Sequence, residues 1–290
     1  MKRIETYLSR ILFWAVLFLF AFIPLYPKFP LFGVSGTFVA IRLEDLFIFV
    51  TLIIWVFYLV LSGKFKGILQ HRLTQLFLLF FFIGLVSTIS GIFLTNSVEF
   101  HISILHYLRR IEFMFLLPVV ATVIGTKRQL ITTLVTIAIV VGLVNIYAFG
   151  QQYLDWPVIS TTNSEFSKGL ILRLSPGARV NSTFAGHYDL AAFLAMVIVA
   201  AVAIFFAVGR KVKIAVLILS GVSLSVLIMT AARVSFVAAF AGIFFSLIFS
   251  NKKKYLIFIF FAAAVILIYP SQLRDRFIST ITVNVFNLGQ

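Results

Sequence analysis

The chain has 290 residues, of which 62% are hydrophobic and only 11% are charged, and its mean hydropathy is +1.12. Ordinary soluble domains are about half apolar and about a quarter charged, so this composition excludes them and indicates a protein whose solvent is lipid. The net charge of +15 comes from Lys and Arg residues between the apolar runs, where they orient helices and contact anionic headgroups, so nucleic-acid binding is not indicated. Cysteine is absent, which excludes disulfides, thiolate nucleophiles and cysteine-ligated metals.

Apolar runs that could cross a bilayer recur along the whole chain, and each crossing requires about 20 mostly apolar residues. We predict about nine spanning helices, at roughly residues 11–27, 46–62, 73–95, 113–125, 130–150, 189–208, 213–231, 235–250 and 255–270. The predicted fold class is therefore an all-α polytopic transmembrane bundle. The run 214–250 contains one charge, Arg233. As a single helix it would be about 55 Å long, which exceeds a bilayer core of about 30 Å, so we predict two helices with a turn near residues 230–235.

Charges in the connecting segments predict the orientation. The N-terminal segment and every second loop carry 14 of the 24 Lys and Arg residues but only one of the nine acidic residues, Glu5. Cytoplasmic loops are enriched in cations, so we predict a cytoplasmic N-terminus. A signal peptide is the alternative interpretation of the first apolar run. The residues that end this run, 24–28, form no small-residue cleavage site, and this favours a retained helix.

The predicted domain organisation follows from these spans. Residues 1–270 are expected to form the transmembrane domain, with 151–188 as its longest external connection. With the N-terminus inside, residues 271–290 emerge outside, and the sequence then ends without another span. We therefore expect this tail to be the start of an external loop or domain that is cut short. No internal repeat is visible, which weakens the case for an inverted-repeat transporter.

The external connection ends in a polar segment that runs directly into the sixth span. Asp189 is expected to cap that helix, and the free N–H groups beside Arg179 would form an anion site. The alternative is that Arg179 contacts headgroups, that His187 lies at headgroup level and that Asp189 only caps the helix. Arg233, in the predicted turn, has the same two open interpretations, a headgroup anchor or a phosphate ligand.

A second polar stretch, residues 99–112, has helical spacing. It either lies in the outer interface as an amphipathic helix, or extends the fourth span and turns its polar stripe towards a wet cavity. Arg109 and Glu112 are spaced to pair, and Arg110 is a further external guanidinium. Asp45, at the start of the second span, is explained by complementarity with the helix dipole. No metal-ligand cluster or glycine-rich phosphate loop is recognisable, so neither a metal nor a cofactor is expected.

Two of these segments resemble the O-antigen ligase and polymerase family of bacterial membrane glycosyltransferases. The family pattern of an arginine, a Gly/Thr/Phe stretch and a polar pair entering a helix is matched from Arg179 to His187-Tyr-Asp-Leu-Ala. The Ser-Arg that the family places at an outer hairpin is matched by Thr230-Ala-Ala-Arg233. Tyr-Asp here replaces Pro-Asn, and Ala232 stands where the family often has Ser.

The resemblance implies a glycosyltransferase that transfers or polymerises glycan from a polyprenyl-pyrophosphate donor. It places this activity on the external, periplasmic face of the bacterial cytoplasmic membrane, with a glycan or lipid as acceptor. It also implies that Arg179 and Arg233 hold the pyrophosphate, and we add Arg109 and Arg110 as further candidates. Preorganised arginines can stabilise the charge of such a leaving group without a metal.

A general base is needed to activate the acceptor hydroxyl, and His187 and Asp189 are the local candidates. The family's large external loop, which carries a histidine believed to be catalytic, has no counterpart within the 290 residues. We therefore expect donor binding rather than complete catalysis from this chain. The alternatives are a transporter or flippase for a lipid-linked or anionic substrate, and a membrane scaffold in which the arginines are only anchors.

Overall fold

The structure is a computed structural model that describes residues 2–37, 40–95, 97–161, 169–175 and 177–286. Most of these residues are helical. The α-helices are α1 Lys2–Leu25, α2 Leu43–Ser62, α3 Phe65–Gln70, α4 Arg72–Phe93, α5 Phe100–Val123, α6 Lys127–Tyr153, α7 His187–Ala207, α8 Arg210–Met229, α9 Arg233–Phe249, α10 Leu256–Ile268 and α11 Gln272–Phe286. A 3₁₀ turn, Lys253–Tyr255, precedes α10.

Two short antiparallel strand pairs lie in the connections. The strand β1 (Pro30–Phe32) pairs with β2 (Ile41–Arg42), directly before α2. The strand β3 (Val158–Ile159) pairs with β4 (Ile171–Leu172), between α6 and α7. The second pair shows that the long polar connection contains regular structure on both sides of residues 162–168, which lie outside the described residues.

The predicted all-α polytopic character is confirmed in its general form. Six of the described helices (α1, α2, α4, α6, α7 and α8) are long and apolar enough to cross a membrane, or seven if the bent pair α10 and α11 counts as one span. A helix also occurs at each of the other predicted positions, but α9 is shorter, with 17 residues. The count of nine spans and the orientation of the N-terminus stay predictions.

Two helix boundaries are informative. The predicted break in the run 214–250 is confirmed, since α8 ends at Met229 and α9 begins at Arg233. By contrast, α5 begins at Phe100, well before the predicted start at residue 113. No glycine or proline occurs between residues 100 and 117, so nothing in the backbone interrupts the helix. The polar stretch therefore extends the fourth predicted span.

The chain divides into two compact units. The first contains α1 up to Ile23, α2 to α5 and the start of α6. In this unit α5 packs against both α2 and α4. Its core consists of buried apolar and aromatic side chains from α1, α2 and α5. These are Leu12, Val16, Trp55, Tyr58, Leu59, Val119 and Val123.

The second unit contains the rest of α6 and α7 to α11, and in it α7 packs against α8 and α9. Gly242 on α9 lies so close to α7 that an added Cβ would be 2.6 Å from Cγ2 of Val199. Such a small residue permits close helix approach, as is common within membranes. The Asn145 amide on α6 donates a 2.9 Å hydrogen bond to Ser223 Oγ on α8, and both side chains are buried.

The last described helix returns onto the second unit. The axes of α10 and α11 are bent by 88° at a short break. Ser271 caps the start of α11, because its Oγ accepts a 3.2 Å hydrogen bond from the Arg274 N–H. Leu273 is completely buried, and α11 packs against α8 and α9. The described part of the predicted external tail is therefore a packed helix.

Candidate functional site

The segment that leads into α7 is held by one buried glutamine. Gln151, near the end of α6, is only 1% exposed. Its Oε1 accepts a 2.7 Å hydrogen bond from the Ser182 N–H, and its Nε2 donates a 2.9 Å bond to the Ser182 carbonyl. The side-chain amide of Gln151 thus satisfies both the N–H and the C=O of Ser182, as the backbone of a neighbouring β-strand would. Ser182 Oγ also donates to the Val144 carbonyl at 2.7 Å. These bonds hold Ser182 in a left-handed conformation, with φ of 51°.

The residues on either side of Ser182 are fixed in the same way. Asn181 donates from Nδ2 to the carbonyls of Ile159 (3.1 Å) and Phe184 (2.9 Å). The hydroxyl of Thr183 donates to the Pro24 carbonyl. Buried polar side chains generally find such partners, and here the partners are mostly backbone carbonyls. The sequence Asn-Ser-Thr therefore has a structural role, because it sets the path of the chain into α7.

Arg179 and His187 are brought together by this path. Arg179 Nη1 lies 3.0 Å from His187 Nε2, and both side chains are half-buried. A guanidinium can only donate, so Nε2 accepts and the imidazole proton is on Nδ1. The ring of Tyr188 contacts the imidazole at a centroid distance of 4.0 Å. The pairing of Arg179 with His187 positions the imidazole at the first residue of α7.

The predicted capping role of Asp189 is wrong in its detail. The N-cap of α7 is Gly186, and no side chain caps this helix. The helix begins two residues earlier than predicted, so Asp189 lies inside its first turn and is exposed. Its carboxylate still complements the positive end of the helix dipole. Among the described residues Asp189 makes no ion pair.

The turn between α8 and α9 leads into Arg233, the second predicted arginine, and places it against Arg276 of α11. The sequence did not predict Arg276 as a site residue. Arg233 Nη1 donates a 2.9 Å hydrogen bond to the Arg276 carbonyl, and Arg276 Nη1 donates a 3.3 Å bond to the Ala231 carbonyl. Ala231 is completely buried and left-handed, with φ of 51°. The Thr230 hydroxyl closes the turn by donating to a carbonyl of α8 at 2.6 Å. Each guanidinium therefore donates to a carbonyl of the other element, Arg233 to α11 and Arg276 to the turn.

These arginines face no acidic side chain within the described part of the chain. No carboxylate of a described residue lies within 4.0 Å of the guanidinium of Arg179, Arg233 or Arg276. A Cβ added to Gly177 would lie 3.9 Å from Nε2 of Gln272, so the loop before Arg179 reaches the first turn of α11. Arg276 lies one turn further along the same helix. The α11 helix thus connects the loop before Arg179 with the turn that carries Arg233.

The other two predicted phosphate ligands belong to the first unit and are differently placed. Arg109 donates to both carboxylate oxygens of Asp45, with its shortest contact at 2.6 Å. It does not pair with Glu112 as the spacing had suggested. Arg110 is exposed. A phosphate would have to displace the Asp45 carboxylate from Arg109, whereas no described carboxylate would have to leave Arg233 or Arg276.

Neither metal sites nor known relatives identify the site. Within the described parts of the chain, no three His, Cys, Asp or Glu side chains are arranged to hold a metal ion. No family model matches the chain, and no curated protein or solved structure matches it either. The resemblance to O-antigen ligases and polymerases therefore depends on the sequence motifs around Arg179 and Arg233.

Proposed function

We propose that the chain is a polytopic membrane glycosyltransferase that binds a polyprenyl-pyrophosphate-linked glycan and transfers or polymerises it onto a glycan or lipid acceptor. The proposal includes a cytoplasmic N-terminus, nine spans and an external active face in the bacterial cytoplasmic membrane. The observation that supports it best is the pair of reciprocal hydrogen bonds of Arg233 and Arg276, for which no carboxylate of a described residue is a partner.

The chemistry of this pair favours a doubly phosphorylated ligand. Two like charges at one turn repel each other, and an anion between them removes the repulsion. Each guanidinium uses one N–H for a backbone carbonyl, and its remaining donors can form the paired hydrogen bonds that suit phosphate oxygens. In the proposed reaction, Arg233 and Arg276 stabilise the charge that develops on the leaving pyrophosphate.

The Arg179–His187 pair provides the second part of the proposed mechanism. While Arg179 donates to His187 Nε2, that nitrogen cannot accept a proton from an acceptor hydroxyl. A donor phosphate that attracts Arg179 would release Nε2, which then acts as the general base. Asp189, exposed in the same helical turn, is the second candidate for this role.

The proposal is tested by measuring binding of a fluorescent polyprenyl pyrophosphate to the protein in nanodiscs. Hydrogen bonds to charged groups contribute about 1.5–3 kcal/mol, so Arg233→Ala and Arg276→Ala should each weaken binding by about tenfold or more. The matched control is Arg210→Ala, because Arg210 is exposed and begins α8 at the end opposite this turn. Undiminished binding by both site variants would contradict the assigned pyrophosphate site.

Transfer is tested separately from binding. His187→Ala should abolish transfer of labelled glycan while leaving donor binding within about twofold of the unmodified protein, since binding depends on the arginines. The predicted orientation is tested by alkylating Ser175→Cys, an exposed position in a chain that has no other cysteine. Labelling of this cysteine only from the cytoplasmic side would overturn both the orientation and the external site.

A transporter for the same class of lipid-linked substrate is the second candidate. The observation that favours it is the 88° break between α10 and α11, because discontinuous helices form binding sites in many transporters. Proteoliposomes that contain the purified chain and a labelled polyprenyl pyrophosphate distinguish the two functions. Translocation of the lipid without glycan transfer supports the transporter, and transfer without translocation supports the enzyme.

A further inference from the structure

A pocket of about 160 Å³ lies in the first unit, between the start of α2 and the first half of α5. Its polar lining consists of Asp45, His106, Arg109 and Glu112, together with Thr37 from the preceding loop. The rest of the lining is aliphatic. Residues 99–112 extend α5, as the second interpretation of this stretch expects. Of the side chains at helical spacing that form its polar stripe (Glu99, Ser103, His106 and Arg110), His106 lines the pocket, and the charged lining comes from Asp45, Arg109 and Glu112.

The charges of this pocket differ from those of the arginine site in the second unit. Asp45 neutralises Arg109 through contacts of 2.6 and 3.0 Å. Glu112 adds a second carboxyl group to the lining, and its buried Oε1 has no hydrogen-bond partner among the described residues. Buried carboxyl oxygens normally have such a partner, and a rotation of the Glu112 side chain towards the pocket would let a ligand hydroxyl supply it.

We propose that the pocket binds a single neutral sugar ring whose hydroxyl groups donate to Glu112. An anion is disfavoured, because Asp45 already neutralises Arg109, the guanidinium in the described lining. A cavity of about 160 Å³ is too small for an oligosaccharide and encloses at most one ring. Aliphatic side chains such as Ile102 and Leu105 line the pocket and offer contact to the C–H face of the ring.

The choice of a sugar as the occupant depends on the proposed function, in which a glycan is the substrate. The charge and the size of the pocket do not depend on it. The pocket would hold one residue of the donor or acceptor glycan, whereas the arginines of the second unit bind only the pyrophosphate. The two sites thus recognise chemically distinct groups, and each can be tested without the other.

Cysteine protection tests this site directly, because the natural chain contains no cysteine. Leu105→Cys places a thiol in the pocket lining, at a position that is 38% exposed. Thr95→Cys, in the exposed connection before α5 and outside the lining, is the matched control. Alkylation rates are measured on the full chain in nanodiscs with glucose, galactose or N-acetylglucosamine, and with ethanolamine or inorganic pyrophosphate for comparison.

At least one hexose is expected to slow alkylation of Leu105→Cys about threefold when its concentration is about twice its dissociation constant, and to leave Thr95→Cys unaffected. Adding Glu112→Leu should remove the protection, while an unchanged rate of Leu105→Cys without sugar in the same background shows that the pocket is intact. Equal protection with and without Glu112 overturns the proposal. So does protection by ethanolamine or pyrophosphate alone, or by none of the compounds. If hexose protection fails while the labelled polyprenyl pyrophosphate still binds, only the sugar pocket is wrong.

Discussion

Replacing Gln151 with leucine tests how the segment that carries Arg179 is held in position. The side chain is 1% exposed and makes three hydrogen bonds, two to the backbone of Ser182 and one to the carbonyl of Pro157. Leucine has a similar size but neither a donor nor an acceptor. The substitution therefore leaves the N–H and C=O of Ser182, which is itself 1% exposed, without the partners that they have now.

The expected cost follows from these two backbone groups. An unsatisfied buried donor or acceptor costs about 1–3 kcal/mol, so the two together give about 2–6 kcal/mol for Gln151→Leu. The melting temperature of a domain of this size falls by about 2–4 °C for each kcal/mol of lost stability. The smallest expected loss, about 2 kcal/mol, therefore corresponds to a fall of about 4 °C. Since Ser182 lies in the turn between Arg179 and His187, donor binding should weaken together with stability.

Thermal unfolding in one detergent, followed by circular dichroism, is the assay. Gln152→Leu is the matched control, because this neighbour is only half-buried and makes no hydrogen bond through its side chain within the described residues. Its melting temperature should stay within about 2 °C of that of the unmodified protein, since changes at such positions cost about 0.5 kcal/mol or less. Equal melting temperatures for the two variants would refute the assigned role of Gln151.

Three further substitutions test packing, a polar helix contact and an ion pair, each by melting temperature. Gly242→Ala should destabilise by about 1–3 kcal/mol, because its new methyl group would press on α7, whereas Gly221→Ala, with no atom within 4 Å, should be neutral or slightly stabilising. Asn145→Ala and Ser223→Ala should each lower the free energy of unfolding. The double variant should lose about 0.6 kcal/mol less than the sum of the two single losses, because their hydrogen bond is then counted only once. Fully additive losses would show that this hydrogen bond contributes nothing to stability. Asp45→Asn should lower the free energy of unfolding by about 1–3 kcal/mol. Breaking a fully buried ion pair costs about 3–5 kcal/mol, and this pair is only partly buried. An unchanged melting temperature would show that the contact of Asp45 with α5 is not stabilising.

The sequence predicts the helices and one critical turn because these depend on local patterns. Apolar runs of bilayer length correspond to helices in the structure, and the break before Arg233 follows from the length of a single run. The extension of α5 back to Phe100 is one of the two alternatives that the helical spacing of residues 99–112 offers, and the lack of a breaker between residues 100 and 117 favours it. The apolar run begins later, at residue 113, so apolarity alone does not reveal the start of the helix.

The site partners could not be predicted, because they depend on contacts between residues that are distant in sequence. Gln151 and Ser182 are 31 residues apart, and Arg233 and Arg276 are 43 apart. A glutamine at the end of an apolar helix and an arginine in a polar tail have no local pattern that signals pairing. Likewise Asp45, explained from the sequence by the helix dipole, is the ion-pair partner of Arg109 across 64 residues.

The contacts of the predicted arginines differ in a way that the sequence could not show. Arg109 faces a carboxylate, so its charge is already neutralised and its main contribution is to hold α5 against α2. Among the described residues, the hydrogen-bond partners of the Arg233 and Arg276 guanidiniums are backbone carbonyls, which orient a guanidinium without neutralising it. Keeping two unneutralised guanidiniums together costs free energy in the absence of an anion, and this cost is recovered when an anion binds. The same argument explains why an anion is expected in the second unit and a neutral ligand in the pocket of the first.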